Sequence, residues 1–393
     1  MGLGHLPKIA TDGLVFMYDT GDGGKSYKGE PTINYGPASF GDWATEGTAE
    51  RLALGNSYEG QPTYNCRTEV GASYKGLYKT ISGLRTAAGS SGTVTMSCMV
   101  RNNNSTSYNM FAYIGHDFTS TRNIAANSDW QKVQWTVNQS SMNNDYVEFR
   151  PYTNNASIYL EMTMPMVEVN KGHATQFVDG TRSATQGLID RTGNSTIDLS
   201  PASYDSNAQI TFDGTDDYIT LGSDSALQGI GSSATIECWF KSSATGSKFA
   251  IMVGWGDGTS YYSNFGIGNW FSAWSDESIY VGINSAAVVY AERDGSAKYH
   301  DGNWHHAVAL MGYNNHKIYV DGSEVSVSFA YGSNSVSTSK LFGFSSGTEV
   351  YIGLRPYGNG HFQGELPVVK IYNRLLSDDE ILQNYNAIKS RFV

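Results

Sequence analysis

The sequence predicts an all-β protein built from two antiparallel β-sandwiches and a short C-terminal helix. Three observations lead to this prediction. Short segments that alternate apolar and polar residues recur along the chain, as in half-buried strands. Gly, Asp, Asn and Ser bound these segments, which is typical of tight turns. Gly, Ser, Thr, Asn and Tyr are abundant among the 393 residues, whereas Lys, Glu and Leu are scarce, and this balance favours twisted sheets over helical bundles.

The N-terminal half contains one isolated strand and then a block of strands. The isolated strand is predicted at 13–19, and a Gly-rich turn follows it at 21–24. The block begins near residue 38, and its roughly 130 residues are enough to bury a core of their own. Several short strands at this spacing predict a sandwich or jelly roll. The clearest segments are 92–101, 110–115, 130–137, 146–150 and 157–162.

The C-terminal half contains a second set of alternating strands and ends in a helix. The strand segments are 210–219, 234–240, 304–308, 317–322 and 351–353. Ser377 and Glu380 have the spacing of a capping box, in which the Ser caps the helix and the Glu reaches back to the cap amide. Apolar residues at helical spacing then predict a helix that packs on a sandwich. They are Ile381, Leu382, Tyr385, Ile388 and Phe392.

In this order, the C-terminal segments resemble the laminin-G-like (concanavalin-A-like, pentraxin-like) lectin domain. Phage proteins of this type open with a Gly-Leu-Val strand ending in Asp and a Ser-Tyr turn, and residues 13–27 match that opening. The expected continuation, Leu-x-Asp-x-Thr-Gly-Asn, occurs only at 188–194. The resemblance therefore implies that the jelly roll is inserted into the first loop of a lectin-like domain. On this hypothesis, residues 12–19 pair with strands of the C-terminal domain.

The inserted block resembles the carbohydrate-binding-module-like jelly rolls of phage tail and fibre proteins. The matching segments are 95–100, 129–133 and the closing run 166–182, which ends in an Ala-Thr-x-Phe-x-x-Gly-Thr-Arg stretch. Together the two resemblances imply a bacteriophage virion surface protein. They divide the chain into an N-terminal docking arm at 1–12, a jelly roll at 38–180, and a laminin-G-like/concanavalin-A-like domain formed by 13–37 and 181–393.

Composition disfavours several classes of partner. Only 16% of residues are charged and the net charge is −11, so nucleic-acid phosphates and anionic membranes would repel the chain. Three cysteines, Cys66, Cys98 and Cys238, are too few for a disulfide framework, and we interpret them as small buried hydrophobic residues. The first eight residues contain no apolar core of signal-peptide length. These features predict assembly in the host cytoplasm, with neither nucleic acid nor membrane as a partner.

The motifs that would indicate catalysis are incomplete. Glucanases that share the lectin-like sandwich carry Glu-x-Asp-x-x-Glu on one strand, which places an acid and a nucleophile at one sugar. Glu292 and Asp294 are followed by a turn instead of a third carboxylate. The chain has no Gly-x-Ser-x-Gly elbow, and His305 and His306 lie on opposite faces of one strand, so we interpret one of them as a packed, hydrogen-bonded ring. The sequence predicts a protein without enzymatic activity.

An acidic turn is the candidate metal site. Asp213, Asp216 and Asp217 supply the hard oxygen ligands that calcium prefers, and domains of the resembled type often bind calcium. The same residues also have the pattern of an ordinary turn. In addition, Leu366-Pro367 stands where the family often carries an acidic pair. The sequence predicts no other cofactor, and it leaves calcium binding and a plain turn as the two interpretations of this cluster.

An aromatic stretch between 254 and 276 is the candidate glycan site. Flat aromatic rings stack on the apolar faces of sugars, and neighbouring Asn and Asp side chains bind hydroxyls. The alternatives are that these rings fill the core or form a subunit interface. The residues predicted to bind glycan are Trp255, Tyr261, Tyr262, Trp270 and Trp274.

These observations predict a non-enzymatic structural protein of a phage virion. It would be displayed on the capsid, neck or tail as a decoration, collar or short appendage, in contact with other virion proteins and as a homo-oligomer. Weak, multivalent binding of host-surface polysaccharide would give adhesion through avidity. The first alternative is a tail-fibre or tail-tip receptor-binding adhesin. The second is a free lectin or a glycan-degrading enzyme.

Overall fold

The structure is a computed structural model, and nearly all of its secondary structure is β-strand, as the sequence predicts. The chain divides into two compact units. We call Met1–Gly29, Ala184–Asp205 and Gln209–Val393 the split unit, and Glu30–Ser183 with Ser206–Ala208 the inserted unit. The structure describes residues 8–68, 75–115, 117–153, 155–228, 230–231, 233–243, 250–256, 261–267, 279–283, 287–291, 299–312, 315–331, 348–355 and 360–393.

The elements are numbered in chain order. The first fourteen strands are β1 (Leu14–Asp19), β2 (Thr32–Ile33), β3 (Ala44–Thr45), β4 (Glu50–Tyr58), β5 (Gln61–Arg67), β6 (Leu77–Thr80), β7 (Thr93–Asn102), β8 (Tyr108–Ile114), β9 (Asp117–Phe118), β10 (Arg122–Ile124), β11 (Ser128–Asn138), β12 (Tyr146–Tyr152), β13 (Leu160–Val169) and β14 (Thr181–Arg182). The others are β15 (Ser203–Tyr204), β16 (Ile210–Asp213), β17 (Ile219–Gly222), β18 (Ser233–Lys241), β19 (Ala250–Gly256), β20 (Tyr261–Ile267), β21 (Ile279–Ile283), β22 (Ala287–Ala291), β23 (Trp304–Gly312), β24 (Asn315–Val320), β25 (Ser323–Val325), β26 (Val327–Tyr331), β27 (Glu349–Ile352), β28 (Leu354–Arg355), β29 (Gly360–His361) and β30 (Gln363–Tyr372). The α-helices are α1 (Leu84–Ala88), α2 (Ser225–Gln228) and α3 (Asp378–Ile388).

The split unit is a sandwich of two antiparallel sheets. Its eight-stranded sheet has the order β15-β16-β30-β18-β23-β24-β25, with β1 also paired to β30. Its seven-stranded sheet has the order β17-β27-β19-β20-β21-β22-β26. Buried side chains from both sheets, such as Phe240 on β18 and Phe265 on β20, belong to one hydrophobic core. This is the packing that period-2 alternation predicts, because every second side chain of each sheet faces the other sheet.

The first strand completes the split unit across the insertion. Residues 14–19 pair antiparallel with β30, in a register that places Tyr18 opposite Val369. This confirms the predicted pairing of the N-terminal strand with the C-terminal part of the chain. The backbone N–H of Lys28 donates to the Gly187 carbonyl at 2.8 Å. The chain therefore resumes at 187–188 directly beside the point where it leaves the unit.

The inserted unit is a second sandwich. A six-stranded sheet with the order β10-β8-β12-β6-β3, plus β9 paired to β8, faces a five-stranded sheet with the order β11-β7-β13-β5-β4. Trp135 of β11 and Phe149 of β12 are buried in its core. Cys66, Cys98 and, in the split unit, Cys238 are all buried and unbridged, which confirms their interpretation as core residues.

The last helix covers the outer face of the eight-stranded sheet. The predicted capping box is present: the Glu380 N–H donates to the Ser377 Oγ at 3.3 Å, and the Ser377 N–H donates to Glu380 Oε2 at 2.9 Å. Ile381 packs with Val308 on β23, which confirms that the helix lies on the sandwich. Leu382, expected on the packing face, is 46% exposed, so the buried stripe of α3 is narrower than predicted. No described helix is long and apolar enough to cross a membrane.

Part of the predicted docking arm belongs to the split unit. Residues 1–7 lie outside the described residues. The N–H of Ala10 donates to Asn384 Oδ1 at 2.7 Å, and the Tyr372 hydroxyl donates to the Ala10 carbonyl at 3.1 Å. Residues 8–12 are therefore held between α3 and β30.

Candidate functional site

The acidic turn brings its three carboxylates together. Ligand oxygens of Asp213, Asp216 and Asp217 all lie within 4.8 Å of one another. Asp213 Oδ1 accepts the Thr215 N–H at 2.7 Å, and Asp217 Oδ2 accepts the Asp213 N–H at 2.9 Å. Asp217 is buried, whereas Asp213 and Asp216 are exposed. The turn is thus stabilised by its own hydrogen bonds, and none of those described within the turn involves the Asp216 side chain.

The electrostatics of this turn favour a cation. Burial raises the pKa of Asp217, and the negative charges of Asp213 and Asp216 raise it further. The hydrogen bond from the Thr215 N–H is the main reason that the pKa of Asp213 is lowered. Three crowded carboxylates repel one another, and a hard divalent cation relieves that repulsion. The donor set therefore fits calcium, although the same hydrogen bonds also make it an ordinary turn.

The predicted aromatic glycan site is only partly within the described residues. Trp270 and Trp274 lie outside them, as do Glu292 and Asp294. Tyr261 and Tyr262 begin β20, and their side chains are not among those described. These four aromatic residues remain a prediction.

Trp255 requires a correction. It lies on β19 and has no exposed surface, packed within the sandwich core. A ring without an exposed face cannot stack on a sugar, so for this residue the core interpretation replaces the glycan-binding one. The sequence could not distinguish the two, because a Trp beside glycines has the same pattern on a core strand and on a binding loop.

The two adjacent histidines are both buried by packing. His305 Nδ1 lies 3.0 Å from Asp321 Oδ2, and its Nε2 lies 3.2 Å from Asp301 Oδ1. Burial alone would lower the pKa of His305, but the two carboxylates outweigh it and raise the pKa. His306 is fully buried, with Nε2 at 3.0 Å from Glu237 Oε1. The buried ring of His305, with its two carboxylate partners, confirms the interpretation that one of the two histidines is packed and hydrogen-bonded.

A buried ionic cluster joins β18, β23, β30 and α3. Glu237 and Lys370 form an ion pair in which neither side chain is exposed. Asn384 Nδ2 donates to Glu237 Oε2 at 2.6 Å. Burial by itself would raise the pKa of Glu237, but the charges and hydrogen bonds of Lys370 and His306 lower it to about 2. Sequence patterns do not predict this cluster, and its only signal in the sequence is a charged residue in each of two strongly apolar strands.

Two arrangements of the described residues resemble catalytic groups, and neither is suited to catalysis. Ser242 Oγ lies 3.2 Å from His300 Nδ1, but it donates to the Gln363 carbonyl at 2.7 Å and the residue is 1% exposed. The Tyr146 hydroxyl donates to Glu46 at 3.0 Å and to Glu148 at 3.2 Å. Burial and the charge of Glu148 raise the pKa of Tyr146, which opposes its use as a nucleophile.

The two facing sheets of the split unit form a concanavalin A-like, lectin-like sandwich. Residues 213–382 match the family model of the concanavalin A-like lectin/glucanases superfamily. No curated protein matches the chain in sequence.

Several solved structures are similar to this chain at low identity and low TM-score. Domain 4 of AbnA, a GH43 extracellular arabinanase from Geobacillus stearothermophilus in complex with arabinotriose, is 12% identical with a TM-score of 0.37; the match covers 52% of this chain and 93% of that one. Trypanosoma rangeli sialidase is 13% identical with a TM-score of 0.38, over 86% of this chain and 62% of that one. The Ruminococcus gnavus IT-sialidase CBM40 bound to α2,6-sialyllactose is 15% identical with a TM-score of 0.30, over 39% of this chain and 84% of that one.

Proposed function

We propose that this chain is a non-enzymatic structural protein of a bacteriophage virion, displayed on the capsid, neck or tail surface, that binds host-surface glycans weakly and in many copies. The observation that carries the proposal is a lectin-like sandwich whose first strand and continuation are separated by a complete second sandwich. The resemblance of both parts to phage proteins supports the virion context. Other virion proteins and further copies of this chain are its proposed partners.

Contacts between the eight-stranded sheet and the segments at both ends of the described chain support a role in surface display. Residues 8–12, α3 and the residues that follow α3 are all fixed to the eight-stranded sheet. Arg391 donates to both carboxylate oxygens of Asp19, at 2.7 and 2.8 Å. Phe392 stacks on Trp239 with ring centroids 4.4 Å apart. Such contacts oppose local opening, which suits a protein exposed to proteases on a particle surface.

The two arrangements that resemble catalytic groups, at Tyr146 and at Ser242, support a binding role over catalysis. A glycosidase needs two carboxylates facing one sugar, whereas Glu148 is buried and paired with Arg150 at 2.6 Å. Ser242 is also inaccessible. Turnover of purified host polysaccharide by the intact chain would contradict the non-enzymatic part of the proposal.

Multivalent adhesion is tested by comparing one copy with many. We expect the soluble chain to give weak signals on an array of bacterial surface glycans. Particles that carry many tethered copies should bind the same glycans about 10²–10⁴ times more strongly, because the second contact is intramolecular. Particles coated with an unrelated protein of similar charge are the control. Equal binding by single copies and particles, or none by either, would overturn the adhesive role.

The virion location has a separate test. An antibody against this chain should decorate purified phage particles at one structural position in negative-stain images. Particles from a phage that lacks the gene should not be labelled. Absence of label on intact particles that contain the chain by immunoblot would contradict surface display.

We also propose that the acidic turn binds calcium. A ligand that binds only the folded state at 100 times its Kd adds about 2.7 kcal/mol of stability, and each kcal/mol raises the Tm of a domain this size by about 2–4 °C. Calcium should therefore raise the Tm of the natural chain by several degrees. The Asp216→Asn variant, which keeps the turn hydrogen bonds, should lose that increase.

The matched control for this test is Asp198→Asn, because Asp198 also accepts a backbone N–H in a turn, from Ser200 at 2.8 Å. It should respond to calcium like the natural chain. If Asp216→Asn and Asp198→Asn respond equally, the acidic turn is a turn only.

A further inference from the structure

A cleft opens at one edge of the inserted unit, where the two sheets of the sandwich end. Its volume is about 390 Å³, which lies in the range of roughly 300–1,000 Å³ common for ligand sites. It lies between β11, the edge strand of the five-stranded sheet, and the segment from β9 to β10. The residues that line it include Phe118, Ser120, Arg122, Trp135 and Asn138.

Phe118 presents an open aromatic ring at this cleft. The residue is 65% exposed, although an exposed Phe ring forgoes the stabilisation of burial. Two neighbouring side chains nevertheless hold the ring in position. The Tyr113 ring contacts it edge-on with centroids 4.8 Å apart, and the Arg150 guanidinium lies 5.2 Å from its centroid. A ring that is held rigid while exposed is preorganised for a partner that stacks on it.

Arg122 gives the cleft a positive charge. Its Nε and Nη2 donate to the Gln134 carbonyl at 3.2 and 3.1 Å, so the guanidinium is positioned by a neutral group. In the part of the chain that the structure describes, no carboxylate forms an ion pair with Arg122. The cleft lining contains neither Asp nor Glu, although the chain carries a net charge of −11. The local charge thus has the opposite sign to that of the whole molecule.

The remaining walls are neutral and polar. Trp135 is 1% exposed and forms part of the lining. Its Nε1 donates to the Ser120 carbonyl at 2.7 Å, which ties the β9–β10 segment to β11. The side chains of Ser120 and Asn138 are exposed and provide a hydroxyl and an amide that can exchange hydrogen bonds with ligand hydroxyls.

We infer that this cleft binds an acidic saccharide. The apolar face of a sugar ring stacks on Phe118, the sugar carboxylate pairs with the Arg122 guanidinium, and ring hydroxyls reach Ser120 and Asn138. Arg suits a carboxylate because its planar donors match the two oxygens. The inference rests on the proposed glycan binding. It places the site in the inserted unit, whereas the aromatic stretch that the sequence indicates belongs to the split unit.

The test compares two probes with the same sugar rings, one with charged carboxylates and one with neutral methyl esters. Trigalacturonic acid and its fully methyl-esterified, neutral form are titrated into the intact chain and followed by saturation-transfer NMR and calorimetry. We expect the acid to bind at least tenfold more tightly than the ester. Phe118→Ala should weaken both probes by roughly tenfold, the loss of a stacking contact of about 1.4 kcal/mol. Arg122→Gln should weaken the acid only, and so remove the preference.

Two substitutions on β4, the edge strand of the five-stranded sheet on the side opposite to β11, serve as controls. Leu52→Ala removes another exposed apolar side chain, which is 47% exposed on β4. Arg51→Gln removes another guanidinium that donates to a backbone carbonyl, that of Trp43. Both variants should bind as the natural chain does.

The outcomes separate the inference from the proposed function. Equal binding of acid and ester, or acid binding that Phe118→Ala and Arg122→Gln leave unchanged, would overturn the acidic-saccharide cleft. If neither probe binds while the glycan array identifies other sugars, the cleft assignment fails and the proposed function stands. If no glycan of any kind binds, both fail.

Discussion

Replacing Glu237 with leucine is expected to destabilise the split unit by about 3–5 kcal/mol, the usual cost of leaving a buried charge without its partner. Lys370 would keep its ammonium group in a fully buried position. The Asn384 amide would lose its acceptor, so the contact of α3 with the sheet would weaken as well. Urea unfolding followed by tryptophan fluorescence, a signal to which Trp239 on β18 should contribute, measures the change.

The matched control is the double variant Glu237→Leu/Lys370→Met. Replacing both charges with apolar side chains of similar size is often neutral or stabilising, so it should recover most of the lost stability. A double variant as unstable as Glu237→Leu would show that burial of an unpaired charge is not the cause.

The same carboxylate predicts a pH dependence. Its pKa is lowered to about 2 in the folded state, from an ordinary value of 4.5, so the unfolded chain binds its proton at higher pH than the folded chain. The stabilisation is fully present above about pH 4.5 and is lost as the pH falls towards 2. The free energy of unfolding of the split unit should therefore fall less steeply between pH 4.5 and 2 in Glu237→Leu/Lys370→Met than in the natural chain, as measured by urea unfolding at a series of pH values. An unchanged slope would show that other groups control acid unfolding.

Replacing Phe149 with alanine is expected to destabilise the inserted unit by about 3–5 kcal/mol, the usual cost of removing a fully buried aromatic side chain. Its ring lies 5.0 Å from that of Trp43 and 5.3 Å from that of Phe40. These contacts are all within the inserted unit, which has its own core. We expect one unfolding transition to shift and the other, from the split unit, to stay in place.

Differential scanning calorimetry resolves this prediction. Phe240→Ala, in the separate core of the split unit, is the reciprocal control and should shift the other transition. A single transition that moves in the same way for both variants would mean that the units do not unfold separately.

The elements that the sequence predicts best are those whose pattern and stabilising interaction involve the same neighbouring residues. The capping box at Ser377 and Glu380 was found from spacing alone, because the cap and the helix start are the same four residues. The interrupted family pattern predicts that the N-terminal strand pairs with the C-terminal domain, but it does not identify β30 as the partner. The residues with predicted function were harder to place. Trp255 was assigned to glycan binding, although it lies in the core.

What the sequence determined by itself is the all-β class, the strand segments and the capped last helix, since alternation and capping are properties of neighbouring residues. Only the tertiary structure decided which polar and aromatic side chains are buried. Alternation shows that Glu237 and Lys370 face away from the sandwich core, but not that α3 covers that face and encloses them as an ion pair. In the same way, Trp135 and Asn138 of β11 line one cleft with Phe118 and Arg122 of the β9–β10 segment because an edge of each sheet meets the other in space. No spacing along the chain records that meeting.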